Sequence, residues 1–170
     1  MAYGKLLRIA VQTGAALALL GFGLGLGLGP APGHAQQVRI SDLTDVAFGT
    51  ISNFTTDLTR SQDVCAHSTA AGNRYSVTAS GSGAGGSFDL QSGGGTLAYE
   101  VQWAGATGQT VGTNLVANVA QGGFSGVGSN SVCKNGTMTA SLITILRSTA
   151  VSAATADAYT GTLTLILAPN

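Results

Sequence analysis

Period-two alternation of apolar residues constrains this chain more than any other feature of its sequence. From Gln36 onward no apolar period of 3.6 residues runs for a useful length, whereas alternation recurs. Successive side chains of a β-strand point to opposite faces of the sheet, so each alternating set predicts a strand with one buried face. The clearest sets are Tyr75, Val77 and Ala79; Leu97, Tyr99, Val101 and Trp103; and Leu163, Leu165 and Leu167.

Glycine-rich breaks divide these segments at about the 8–12-residue spacing of a β-sandwich. The predicted turns cover residues 81–86, 92–95, 105–108 and 122–128. Further strands are expected at residues 46–51, 58–65, 88–90, 115–119 and 138–146. The last of these is almost continuously apolar, which is typical of a central strand, and the alanine-rich residues 148–158 are expected to form one helical turn or a loop. The sequence therefore predicts an all-β sandwich.

Residues 1–35 are typical of an export signal. Lys5 and Arg8 give a positive start, an apolar stretch comes next, and the small residues Gly33 and Ala35 suit a signal peptidase. A retained membrane anchor is the alternative, because the apolar stretch of about 20 residues is long enough to span a bilayer. Alternate glycines make its second half a poor helix, which favours cleavage. The mature chain would then be one domain of residues 36–170, with residues 36–44 as a short N-terminal extension.

Low charge excludes some classes of function. Only 8% of the residues are charged and the formal net charge is zero. A nucleic-acid-binding protein needs a surplus of Lys and Arg to displace counterions, so nucleic acid is excluded as a partner. Disorder is disfavoured because disordered chains combine low hydrophobicity with high net charge. After cleavage we expect no attachment to the membrane.

The two cysteines, Cys65 and Cys133, are predicted to form one disulfide. Export would place them in an oxidising compartment, where two cysteines most simply pair. On the chain-entropy model a bridge across 68 positions adds roughly 4 kcal/mol to stability. Two unpaired buried thiols are the alternative.

No motif predicts catalysis, a cofactor or a metal site. Residues 81–86 match G-x-G-x-x-G, but the glycines after them cannot start the helix that a dinucleotide site needs, so a glycine-rich hairpin is expected. His67 shares a strand face with Cys65, yet a bridged sulfur cannot attack a substrate. One histidine with scattered carboxylates gives no spacing for zinc, and no Asp-rich loop indicates calcium. We therefore expect that the protein is not an enzyme.

Tyr99 and Trp103 could form a stacking platform for sugar rings. They are in register with Leu97 and Val101, however, so the same face should point inward. A place in the core is therefore favoured over a ligand site.

Four segments, in order, are similar to motifs of one family. Residues 45–50 resemble its φ-x-F-G opening, Cys65 with residues 74–81 its cysteine and following strand, residues 97–101 its L-x-Y-x-φ strand, and residues 158–165 its closing G-x-Y-x-D-x-L-x-V strand. Over most of residues 38–168 the chain thus resembles the spore coat protein U domain family, which includes subunits of archaic chaperone–usher pili.

The chain departs from that family's pattern in three ways. The usual early cysteine is absent, so the resemblance leaves Cys133 to pair with Cys65. Gly161 stands where Asp is common in the closing motif. The N-terminal extension is also short, with barely a strand's length before Asp45.

The resemblance implies an immunoglobulin-like, pilin-like sandwich that lacks one strand and receives it from the extension of a neighbouring subunit. Val38 and Ile40 would be the donor strand, adding main-chain hydrogen bonds and alternate side chains to an open sheet edge. Leu163, Leu165 and Leu167 would be the core face of the closing strand. The expected partners are like subunits, a periplasmic chaperone and an outer-membrane usher, and the expected location is a fibre at the cell surface, reached through the periplasm.

Two other functions stay open from the residues themselves. One is a self-contained secreted adhesive or carbohydrate-binding sandwich, which would need no partner strand. The other, less favoured, is a secreted hydrolase, which would need His67 in a cleft beside a carboxylate.

Overall fold

The protein is described by a computed structural model that covers the backbone of residues 7–14, and residues 36–129, 133 and 135–170 in full. Within these residues the chain forms mainly strands, with a short α-helix and two 3-10 turns at Ala71–Asn73 and Ala84–Gly86. The strands are β1 Leu7–Gly14, β2 Val38–Ser41, β3 Val46–Ala47, β4 Leu58–Ser68, β5 Arg74–Gly81, β6 Asp89–Ser92, β7 Gly95–Ala98, β8 Glu100–Ala104, β9 Thr113–Asn114, β10 Gln121–Ser125, β11 Ala140–Leu146 and β12 Tyr159–Pro169. The helix is α1 Ser148–Ala153, where a helical turn was one of the two expectations.

The strands form two sheets. One has the order β10-β5-β12-β1-β3, with β6 paired to β12 and β7 paired to β6. The other has the order β2-β4-β11-β8-β9. Among the described strands every pairing is antiparallel except that of β1 with β12. The all-β prediction is confirmed.

The two sheets share one core. Every residue of β11 is buried, as expected for a strand in the middle of its sheet. Leu163, Leu165 and Leu167 of β12 are buried, which confirms the predicted core face of the last strand. Trp103 of β8 donates a hydrogen bond from Nε1 to the hydroxyl of Tyr75 on β5 at 3.0 Å, and this bond joins the two sheets across the core.

The chain changes sheet at Tyr99. The alternation through Leu97 and Trp103 predicts one strand, but the structure divides it into β7 in one sheet and β8 in the other. The apolar side chains stay buried on both sides of the break. Alternation reports which residues face the core, and it is the same whether a strand continues or crosses to the facing sheet.

Two predictions in the segment before β11 are wrong. Residues 115–119 do not form a strand, because Asn118 has a φ of 63° and the N–H of Val119 closes a turn on the carbonyl of Val116. Residues 122–128 are not simply a turn, because most of β10 lies within them. Its register with β5 shifts between Gln121 and Phe124, around Gly123 with a φ of 92°. These glycines therefore mark a bulge in a strand.

Two other segments differ from their predictions. Only Val46–Ala47 of the expected strand at residues 46–51 is extended in a sheet, since Gly49 has a φ of 69° and turns the chain. The glycine-rich residues 81–86 are not a hairpin, because β5 and β6 do not pair with each other. Both pair with β12, one after the other along the same edge, and the glycine-rich loop connects them.

Candidate functional site

The candidate site is a slot in the seven-stranded sheet, bounded by β12 on one side and β3 on the other. Strand β1 lies in this slot, parallel to β12 over eight residue pairs from Leu7–Tyr159 to Gly14–Ile166. It pairs with β3 at Arg8 and Ile9, in the antiparallel sense. Neighbouring strands are about 4.8 Å apart, so the two walls of the slot are about 10 Å apart and leave room for one strand.

The β12 wall is held by contacts that do not involve β1. On its other edge β12 pairs with β5 over seven residues, from Leu163–Gly81 to Pro169–Tyr75. Its core-facing side chains pack into the cluster shared by both sheets. The edge toward the slot carries the main-chain groups of residues 159–166, which a parallel partner satisfies at every second residue.

The β3 wall is attached to the opposite sheet. Among the described residues, β3 reaches its own sheet only through β1. The side chain of Gln62 on β4 accepts a hydrogen bond from the Thr44 N–H and donates one to the Thr44 carbonyl, both at 2.9 Å. Arg60 of β4 donates from Nε to the Ala47 carbonyl at 3.3 Å, and its guanidinium lies 5.6 Å from the ring centre of buried Phe48. These contacts hold the β3 wall in place independently of β1.

Val38 and Ile40, the predicted donor residues, lie in β2 of the facing five-stranded sheet and are not in the slot of their own chain. Strand β2 is at the edge of the five-stranded sheet and pairs with β4 from Val38–Ser68 to Ser41–Cys65. Both side chains are half-buried against the core cluster. The strand is short and has a neighbour on one side only. Its release would break a ladder of four pairs, the hydrogen bonds between Gln37 and Thr69, and the packing of both side chains against the core cluster.

The Cys65–Cys133 disulfide is present, as predicted. The Cα atoms are 5.4 Å apart, and both residues are buried. The bridge ties β4 to the segment that precedes β11. Because Cys65 is bridged, its sulfur is no free nucleophile for a pair with His67.

His67 and Tyr99 each bury a polar atom without a hydrogen-bond partner in the described part of the chain. These atoms are Nδ1 of His67 and the hydroxyl of Tyr99. The other ring nitrogen of His67 lies 3.3 Å from the carbonyl oxygen of Gly128. Burial, and secondarily the negative charge of Asp89, raises the pKa of Tyr99. Tyr99 and Trp103 are core residues, as favoured by their register, so they do not form an exposed platform for sugars.

A charged cluster lies at one end of the five-stranded sheet. Arg147, at the end of β11, bonds Glu100 through two nitrogens at 2.8 and 2.6 Å and Asp57 through a third at 2.8 Å. Asp57 also accepts the Ser148 N–H at the start of α1. The bond from Ser148, with that from Arg147, lowers the pKa of Asp57, and the bond from Arg147 lowers the pKa of Glu100. The cluster connects the ends of three neighbouring strands.

The packing around Gly161 explains why this position is a glycine, where the family that the chain resembles commonly has an aspartate. A Cβ atom at this position of β12 would come within 2.8 Å of a Leu90 methyl and 3.0 Å of the Ser82 hydroxyl. Ser82 accepts the N–H of Thr162 at 3.0 Å, so it is not free to move away. An aspartate cannot be accommodated here without displacing the glycine-rich loop that leads to β6.

A metal centre and a membrane-spanning helix are both absent from the described residues. These residues contain no cluster of three or more His, Cys, Asp or Glu side chains that could hold a metal ion. No helix in the described part of the chain has the length and apolar character needed to cross a membrane. The predicted cleavage position after Ala35 and the glycines before it lie outside the described residues.

Comparison with known proteins adds no family to this description. No protein-family model matches the chain, and no curated protein matches it either.

Proposed function

We propose that the protein is an exported structural subunit of a surface fibre or coat, assembled by β-strand complementation between copies of the chain. One observation carries the proposal: the slot between β12 and β3 is occupied by β1, a segment that lies within the predicted export signal. Removal of residues 1–35 would take this strand away and leave an open edge along residues 159–166. An open strand edge of this length is a template with which a strand from another molecule can pair.

The geometry of the walls supports this proposal. When the slot is emptied, β12 keeps its partner β5 and the β3 wall keeps its bonds to Arg60 and Gln62. The contacts that are lost are the pairs of β1 with β12 and the two pairs that join β3 to its sheet. The empty slot would leave main-chain groups unpaired beside an apolar core, and such groups are costly wherever water cannot reach them. A strand from a second copy removes that cost.

The donor in this proposal is the N-terminal extension, residues 36–44. Val38 and Ile40 alternate with Arg39, which is the pattern that a strand needs to face a core on one side. In the described chain these residues pair with β4, so donation requires β2 to leave its own sheet and enter the slot of the next copy. The slot accepts eight residues along β12, a length that the extension can supply.

The test is to express the full chain in a bacterial periplasm and to compare unheated and boiled samples on SDS gels. The proposal predicts a ladder of SDS-resistant oligomers that collapses to one band on boiling. Deletion of residues 36–43, which leaves Thr44 and its bonds to Gln62 in place, should abolish the ladder. A ladder that persists after this deletion would refute the extension as donor, and a folded monomer without any oligomer would refute the fibre.

A matched pair of variants separates donation from general damage. Val38→Asp with Ile40→Asp places charges on the apolar side of the extension, whereas Arg39→Gln changes the exposed residue between them. The fraction of protein in oligomers should be at least tenfold lower in the double variant than in the wild type. In Arg39→Gln this fraction should be the same as in the wild type. Thermal unfolding of each monomer fraction shows whether the subunit itself still folds.

The alternative, a self-contained adhesive or carbohydrate-binding sandwich, is weakened by the burial of Tyr99 and Trp103. It predicts a stable monomer after export, which is the opposite outcome of the same experiment.

A further inference from the structure

Strand β1 carries an inference about the precursor, the chain before its export signal is removed. The apolar residues Leu7, Ile9 and Val11 alternate in the sequence with Arg8, Ala10 and Gln12. This is the pattern of a strand, and it differs from the continuously apolar and glycine-rich stretch after it. The N-terminal segment therefore has two parts, and the first is suited to pair with a sheet.

The chain between β1 and β2 lets the same molecule supply both slot and strand. Residues 15–37 separate them, and 23 extended residues could span up to about 75 Å. A tether of this length gives the attached strand an effective concentration in the millimolar range. At micromolar protein concentrations, pairing within one molecule therefore prevails over pairing between two molecules.

Strand β1 pairs over a long stretch with one wall of the slot and over a short stretch with the other. Along β12 it pairs with eight of the eleven residues, from Tyr159 to Ile166. Along β3 it pairs at two residues only, yet these are the pairs that join β3 to its sheet. With β1 in place, only residues 167–169 of this edge of β12 are left without a partner strand in the described part of the chain.

We propose that Leu7–Gly14 is an internal cap, a strand that closes the slot in the uncleaved chain and whose removal with residues 1–35 makes the subunit competent to assemble. The second part of this proposal, that cleavage permits assembly, rests on the proposed function. The cap itself is a property of the precursor and can be tested without assembly. It makes proteolysis after Ala35 the step that releases the acceptor edge.

A disulfide trap tests the cap. Gln12 is opposite Thr164 in the parallel register, and Thr164 is half-buried on the side of β12 that alternates with the core leucines. Residues opposite each other on neighbouring strands are within the Cα separation that a disulfide spans. The full chain with Gln12→Cys and Thr164→Cys, refolded under oxidising conditions, should form a second bridge within one molecule. The control pair, Gln12→Cys with Thr160→Cys, is four residues out of register and should not bridge.

Peptide mass mapping of the monomer identifies the bridge. A bridge between positions 12 and 164 of one chain supports the cap in the predicted register. A bridge at the control pair, or none at either pair in a folded monomer, overturns it. A bridge that forms only between two chains also overturns it, because β1 would then be exchanged between molecules.

Cleavage connects the cap to assembly. The unmodified full chain, treated with signal peptidase after refolding, should pass from a monomer to oligomers in light scattering. The bridged variant should stay a monomer after the same cleavage, until a mild reductant releases its N-terminal piece.

The outcomes separate the two proposals. An uncleaved wild-type chain that oligomerises as fast as the cleaved chain overturns the cap and leaves the proposed function standing. If the trap forms and cleavage yields no oligomer, the cap stands as a closed slot in the precursor and the proposed function fails.

Discussion

Two buried tyrosines differ in what their hydroxyl groups do. The Tyr75 hydroxyl accepts the hydrogen bond of the Trp103 ring N–H, and both side chains are fully buried between the sheets. The Tyr99 hydroxyl is buried as well, but it has no partner in the described part of the chain. A buried hydrogen bond stabilises modestly, whereas a buried polar group without a partner costs free energy. The two side chains therefore make a matched pair for mutation.

Tyr75→Phe should lower the free energy of unfolding by about 1–3 kcal/mol, because it leaves the Trp103 N–H unpaired in the core. Tyr99→Phe should leave stability unchanged or raise it, because it removes only an unpartnered hydroxyl. Urea unfolding followed by tryptophan fluorescence measures both. Equal losses in the two variants would contradict the assigned hydrogen bonding.

Gly161 is required by packing at the wall of the slot. Gly161→Ala should lower stability by about 1–3 kcal/mol, because the added methyl meets Leu90 and Ser82. Gly93→Ala is the control, since a Cβ atom at that glycine has no atom within 4 Å. Differential scanning calorimetry compares the two variants, and an equal effect on Tm would show that packing is not the reason for Gly161.

The charged cluster gives the protein a defined response to acid. Asp57 and Glu100 have lowered pKa values in the fold, from ordinary values of 3.8 and 4.5. A carboxylate with a lowered pKa stabilises the fold above its unfolded-state pKa, and this contribution disappears as the pH falls through the folded-state value. The affected range therefore lies below about pH 5.

Arg147→Met should make unfolding less dependent on pH in that range. Asp57 keeps the bond from the Ser148 N–H, so the dependence is reduced and not abolished. The melting temperature of the variant should be lower than that of the wild type at pH 7 and should converge with it toward pH 2. Arg74→Met, at another exposed arginine, should instead give a curve parallel to the wild type. Parallel curves for both variants would mean that the cluster does not control the response.

At the scale of elements, alternation predicted best where a strand has one buried face. Strands β5 and β12 follow their alternating residues, and β11 follows its continuous apolar run. Each of these segments is extended over its whole length and packs at least one of its faces against the core. In such places the sequence pattern and the burial have the same cause, so the pattern is a reliable guide.

Other elements depend on tertiary contacts that a local pattern does not contain. The break at Tyr99 moves the chain to the facing sheet without changing which residues are buried. Asn118 adopts a left-handed conformation and donates its N–H to the Ala79 carbonyl, which ends the expected strand at residues 115–119. In both places a contact distant in sequence decides the conformation.

The candidate site was only partly predictable. The core face of β12 followed from its leucines, but nothing in β12 shows which of its edges is open. The occupant β1 lies inside the predicted export signal, where apolar residues have another explanation. The role of Val38 and Ile40 as donors stays a prediction, and the structure adds that they must first leave β4.

The disulfide joins elements that are distant in sequence. Cys133→Ser should lower the free energy of unfolding by roughly 4 kcal/mol, the chain-entropy value for a bridge across 68 positions. Cys65→Ser should have a similar effect, and the double variant should be no less stable than the single ones. Non-reducing thermal denaturation is the measurement. An unchanged Tm in Cys133→Ser would show that the bridge does not stabilise the fold.

In the whole molecule, one slot takes two occupants in succession according to the proposed function. The described chain fills the slot with a strand from its own N-terminal segment. In the proposed sequence of events this strand leaves with the export signal, and the extension of a neighbour replaces it. The same main-chain groups of β12 are paired before and after, so the edge is exposed only in between. This exposed state is the one that a chaperone would have to protect.

The decisive measurement is hydrogen exchange along β12 in protein that has been expressed in a bacterial periplasm and cleaved after Ala35. Peptides that cover residues 159–166 should exchange slowly in oligomers and much faster in monomers released by brief heating and cooled. Peptides from β11, in the centre of the other sheet, should exchange slowly in both and serve as the reference. A cleaved protein that is monomeric and protects residues 159–166 as well as it protects β11 would contradict the account, because its sandwich would be complete without a second copy.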